Sequence, residues 1–174
     1  SDVYKRQVGG NNGNLISSLD VSNNLILETL YLFNLNISSL DVSNNTLLKH
    51  LECDASALSS IDVSNNPDLI TLSLEQNQLS SIDLSNNNLI RYLHIGDNSI
   101  STIDVSNLSD LYSFEIWDNQ LSSIDVTNSP LLHTLNCTRN QQISNIDLSN
   151  NLDLEELYLI SNQISNIDLS NLSL

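Results

Sequence analysis

Basic residues are scarce. The 174-residue chain holds five Lys or Arg against 21 Asp or Glu, a net charge of −16. Phosphate recognition needs clustered Lys and Arg, so nucleic acid and anionic membrane surfaces are excluded as partners, leaving neutral, cationic or metal-assisted ones. No apolar run approaches the ~18 residues of a membrane span and no basic-then-apolar leader opens the chain, so membrane insertion is not expected. Glycine is confined to four positions, none forming a phosphate loop, and neither EF-hand spacing nor a Gly-Asp-rich nonapeptide is present. No ten-residue window shows the apolar period of an amphipathic helix, which predicts little or no helix. The 40% of residues that are apolar suffice for one sizeable core and a single domain.

The two ends stand apart from the rest. SDVYKRQ (1–7) matches nothing downstream and resembles the in-frame translation of a sequencing adapter, so it is set aside as a non-native scar. Without Asp2, Lys5 and Arg6 the balance is 20 acidic against three basic residues (Lys49, Arg91, Arg139), or −17. The C-terminal NLSL stops in mid-pattern. Residues 8–174 therefore read as one solenoid of about eight 21–22-residue coils, a fragment truncated at both ends. Within it, VGGNNG (8–13) lacks a strand pattern.

Aspartates recur at 20, 41, 62, 83, 104, 125, 147 and 168, an interval of 21 residues six times and 22 once. The extra residue falls in NQQI (140–143), where neighbouring units have NQL or NQI, and reads as a bulge in a turn. Aligned on these aspartates, the other half of each unit reads LITLSLEQNQL (69–79), IRYLHIGDNSI (90–100), LYSFEIWDNQL (111–121) and LEELYLISNQI (154–164). Alternate apolar residues point inward from a short strand, and the Asn side chain satisfies backbone groups where the chain turns. The aspartate-bearing half, as in LSSIDLSNNNL (79–89), repeats the pattern with Leu79, Ile82, Leu84 and Leu89 as its apolar positions and Asn87 in the asparagine slot. Leu35 and Ser56 replace the first asparagine in two units; Leu108, Ser129 and Leu172 replace the second in three.

The pattern LxxLxLxxNxL is that of leucine-rich repeats, and its nesting resembles the 21-residue bacterial class called IRREKO. More loosely it is similar to internalins and to secreted Bacteroidetes surface proteins; the resemblance covers residues 14–174. It implies a β-rich, right-handed solenoid with a parallel sheet on the inner face and shorter extended segments opposite. It further implies a bacterial secreted or cell-surface protein.

Residues between the inward leucines face solvent, so both faces are legible. On the aspartate side the outward residues are monotonous, as in Ser60, Asp62, Ser64 and Ser81, Asp83, Ser85. On the sheet side they are diverse and include Tyr31, Phe33, Tyr92, Trp117 and Tyr158, five of the seven aromatics outside the adapter-like segment. Aromatic side chains on a rigid sheet anchor interfaces at small entropic cost. The ligand-binding set is therefore Tyr31, Phe33, Tyr92, His94, Glu115 and Trp117, taking a protein or glycan; no cofactor is implied.

Catalytic chemistry is thin. The three histidines do not converge, and the pairing of His94 with Glu115 one coil along lacks a positioned nucleophile. Cys53 and Cys137 share one inward position four coils apart, about 19 Å at ~4.8 Å per coil, too far for a disulfide. Glu52, Asp54 and Glu75 on consecutive coils are the weak candidates for a metal, with calcium the natural ion for hard oxygen ligands. The aspartate column repels itself, and an Asx turn, in which each carboxylate accepts main-chain N–H groups just ahead, offsets this. The alternatives to a binding module are a structural spacer and a calcium-binding acidic solenoid. Exposed solenoid ends also invite end-to-end self-association.

Overall fold

The computed structural model describes residues 4–14 and 16–172, the first group by its main chain. Eight strands, β1 (Tyr4–Asn14), β2 (Leu27–Leu35), β3 (His50–Asp54), β4 (Thr71–Ser73), β5 (Tyr92–His94), β6 (Ser113–Glu115), β7 (Thr134–Asn136) and β8 (Glu156–Tyr158), form one sheet in chain order. Every pairing is parallel. Leu51 faces Leu72, Leu72 faces Leu93 and Leu93 faces Phe114, so the 21-residue spacing is the strand register itself. No helix occurs among the described residues.

Stacking is obligatory because one coil has only a row of apolar side chains and nothing of its own to cover them. The core runs the length of the solenoid: Leu69, Leu72, Leu74 and Leu79 of one coil are fully buried, as are Ile90, Leu93, Ile95 and Ile100 of the next. Each such side chain contributes about 1.5–3 kcal/mol on leaving water. Two asparagine columns hold the turns between them. Asn98 donates from Nδ2 to the carbonyls of Leu74, one coil back, and Ile95, and its Oδ1 accepts the Leu79 N–H at 2.9 Å. Asn87 donates to Val63 and Asn66 of the coil before. Where Leu108 occupies that slot, neighbouring Asn107 supplies an Nδ2 bond to Leu84 O, and Ser129 substitutes with its hydroxyl to Leu108 O.

Three features depart from the sequence pattern. Residues 4–7 of the adapter-like segment and VGGNNG enter the sheet within β1, with Lys5 opposite Thr29, Gly9 opposite Phe33 and a shift before Asn14. Parallel pairing uses main-chain groups that every non-proline residue carries, so an end strand forms without an alternating side-chain pattern. The aspartate-side segments form no strand among the described residues; asparagine amides join them instead. Finally, Leu89 is 46% exposed while Ile90 is buried. The turn closed by Ile90 N–H to Asn87 O rotates the nested copy by one residue, so its last apolar position points out.

The extra residue of NQQI is a bulge. Gln141 takes φ 51° and the Gln142 N–H bonds back to Asn140 O at 2.6 Å. The next strand pair then offsets by 22, Thr134 opposite Glu156.

Candidate functional site

The sheet face is built from the outward residues of β2–β8 and the residues just after them. All six predicted contact residues lie there, half-buried and spread over several coils. Tyr31 and Phe33 form a tilted pair on β2, ring centroids 6.5 Å apart. Burial pushes the Tyr31 phenol up, and the Glu52 carboxylate on the next strand adds to that. Tyr92, His94, Glu115 and Trp117 form a second group on and just after β5 and β6, three to four coils away.

Trp117 is not free to stand out. Its indole lies back across the preceding coil at Gly96, where an added Cβ would sit 2.3 Å from the ring. From there Nε1–H donates to Glu75 Oε1 at 3.1 Å, two coils away. Gly96 makes this possible, and it is the only glycine beyond residue 13. That isolation in an otherwise uniform repeat was the available signal.

Carboxylates gather beside the indole. Asp54 accepts from the Ser73 hydroxyl at 2.8 Å and the Glu75 N–H at 2.9 Å. Burial raises Asp54, Glu52 and Glu75 above their ordinary range, and neighbouring carboxylates raise the two glutamates further. The bonds from Ser73 and Glu75 oppose the shift at Asp54, as Trp117 does at Glu75. Glu52, Asp54 and Glu75 form an acidic patch; among the described residues no group of three or more His, Cys, Asp or Glu that could hold a metal ion is found.

His94 Nε2 lies 3.2 Å from Ser113 Oγ and 3.9 Å from Glu115 Oε1. A hydroxyl beside a His–carboxylate pair invites comparison with a catalytic triad. Here both partners approach the same nitrogen, whereas a triad needs the carboxylate on the other one to orient the ring. Cys53 and Cys137 are unpaired and buried, which pushes their thiols up to about 11 and about 12, so neither is a nucleophile at neutral pH.

The aspartate column behaves as a turn device. In all eight, Oδ1 accepts the N–H two residues ahead at 2.9–3.0 Å. At Asp62 the Ser64 hydroxyl and N–H hold the carboxyl below its ordinary value. At Asp41 the adjacent Asp20 and Asp62 push the other way and are outweighed.

No family model and no curated protein matches the chain. Solved structures do. The functional domain of InlJ from Listeria monocytogenes, described as including a cysteine ladder, is 33% identical with a TM-score of 0.92 over 97% of this chain. An internalin, InlF, from the same species is 25% identical with a TM-score of 0.78 over 90% of the chain. A Leptospira interrogans leucine-rich-repeat protein shares the fold at 21% identity, with a TM-score of 0.83 over 91%. The chain spans 37%, 50% and 45% of those three, respectively. It is a leucine-rich-repeat solenoid protein similar to the bacterial internalins.

Proposed function

We propose that the chain is a non-catalytic binding module of a secreted or surface-exposed bacterial protein, recognising a protein or glycan through its sheet face. One observation carries this: the two outward faces differ in what they can encode. The aspartate face repeats one Asx turn in every coil, and a uniform surface selects poorly between partners. The sheet face changes from coil to coil and presents half-buried aromatics, a histidine and carboxylates on a hydrogen-bonded sheet. Rigid, amphipathic contact residues of this kind dominate binding energy in interfaces. The solenoid similar to this one in InlJ is called that protein's functional domain, which supports the reading.

Arrayed glycans and extracellular protein domains, probed with the whole chain and with a Trp117→Ala, Tyr92→Ala double variant, test it. Loss of the bound ligands in a variant that keeps its circular dichroism is the expected result; unchanged affinity would move the binding surface off the sheet face, and no bound ligand at all would reassign the chain as a spacer. A calcium titration of the unfolding temperature gives the third reading its chance: a large rise would favour an ion-binding solenoid.

A further inference from the structure

One residue before the inward Leu or Ile that opens each strand segment lies a position the repeat leaves open. It reads Leu47, Asp68, Leu89, Asp110, Leu131 and Asp153 on six consecutive coils, so leucine and aspartate alternate with twice the period of the repeat. The three leucines are 43%, 46% and 43% exposed. Among the described residues none of the three aspartates belongs to a salt bridge. With coils stacked like parallel strands, equivalent leucines recur every ~9.6 Å.

Two positions further along each coil is a parallel outward row, Arg91, Tyr112, His133 and Glu155 on the last four coils. Tyr112 stacks on His133 at 4.8 Å and 17°, Tyr92 tilts onto Tyr112 at 5.9 Å, and His133 Nε2 meets Glu155 at 3.1 Å. Leu131 and Asp153 of the first row, with all four residues of the second, line a groove of about 430 Å³, whose apolar side is Leu131 with Leu152, the latter 55% exposed. Arg91 stands at one end, and Asp153 with Glu155 at the other.

We propose that this groove binds a proline-rich segment of a partner protein in the polyproline II conformation, with a Lys or Arg placed at the Asp153–Glu155 end. A polyproline II helix repeats every three residues, about 9.3 Å, and so a segment seated on Leu131 reaches the exposed Leu89 two coils away one turn later. An extended strand repeats at about 6.7 Å and drifts out of step within two coils. Stacked aromatic rings flanked by leucines accept pyrrolidine rings, which need no main-chain hydrogen bonds from the groove. The carboxylates of Asp110, Asp153 and Glu155 attract a cation, and Arg91 repels one, which fixes where along the segment the basic residue sits.

The test uses the whole chain and a labelled nonapeptide of eight prolines and one terminal Arg, read by fluorescence anisotropy. Saturable binding is expected, weakened about tenfold or more when Gln replaces Arg or when Ala replaces Pro. Asp153→Lys and Leu131→Ser, both at exposed positions, should each weaken it about tenfold while Trp117→Ala leaves it unchanged. Equal affinity for the peptide with Ala in place of every Pro would mean charge attraction alone and overturn the proposal. So would loss in Trp117→Ala instead of Asp153→Lys, or no saturable binding at millimolar peptide. Because only the Trp117 arm probes the sheet face, failure here leaves the sheet-face reading standing, and the reverse.

Discussion

Ala55 sits at φ 49°, in the left-handed region that side chains with a Cβ avoid. It belongs to a column that also includes Asn34, Gln76, Asp97, Asp118, Arg139 and Ser161, one left-handed residue closing the strand segment of each coil. Asn and Asp tolerate the conformation through local hydrogen bonding; alanine has no such means. Ala55→Gly should therefore stabilise the chain by about 0.5–1 kcal/mol, the relieved strain being larger than the entropy that glycine adds to the unfolded chain. A higher urea midpoint with an unchanged slope is the expected signature. Gly96 makes the opposite case. Gly96→Ala would drive a methyl group into the Trp117 indole, costing about 1–3 kcal/mol as overpacking does. The ring would leave Glu75 for water, and since Trp117 is the only tryptophan, its emission should shift to the red. Unaltered emission would mean that the indole is not held down by the missing Cβ.

At the level of the coil, the best-read element and the worst-read one lie side by side. Strand positions, buried leucines and the asparagine turns were legible because stacking forces one chemistry on every unit: Leu72 can only face Leu51 and Leu93. Leu89 misled because the pattern of its nested copy is apolar there, while the turn at Asn87 shifts the inward role to Ile90. The reclining Trp117 was not legible because its direction depends on an absent side chain one coil back rather than on its own position. The bulge at Gln141 was legible as an insertion, yet its consequence was not. In the regular coils the turn asparagine accepts an N–H from 19 residues earlier, as Asn140 does from Leu121. Past the bulge, Asn162 Oδ1 is buried without such a partner. Deleting Gln141 restores the 21-residue spacing and should give that oxygen the Ile143 N–H, stabilising the chain by about 1 kcal/mol. A fall in unfolding temperature on deletion would contradict this.

Charge acts on the molecule as a whole, and its two carboxylate populations respond to acid in opposite senses. Glu52, Asp54 and Glu75 have folded values raised above the ordinary 4.5 for Glu and 3.8 for Asp. A carboxyl that binds its proton more readily when folded penalises the fold above that raised value, and the penalty disappears as pH falls to the unfolded value. The column aspartates are lowered below 3.8, so their stabilisation is complete above 3.8 and is lost as pH drops through the lowered values. Stability should thus rise from neutral pH to a maximum near pH 4–5, then fall below about 3.8, a dome visible in unfolding temperature against pH. A steady decline from pH 7 downward would show that the raised group does not exist. The net charge of −16 reinforces the rising limb, because protonation relieves repulsion along the rod.

The central claim is that selectivity lies in the variable sheet face while the aspartate column fixes turns. The most direct measurement compares one ligand, found on the arrays, against two variants of the whole chain. Trp117→Ala with Tyr92→Ala should lose about tenfold or more in affinity at nearly native stability. Asp62→Ala, Asp83→Ala and Asp104→Ala together remove three of the turn acceptors and should lower the unfolding temperature and leave affinity unchanged. Affinity lost in the aspartate variant and kept in the aromatic one would contradict the account.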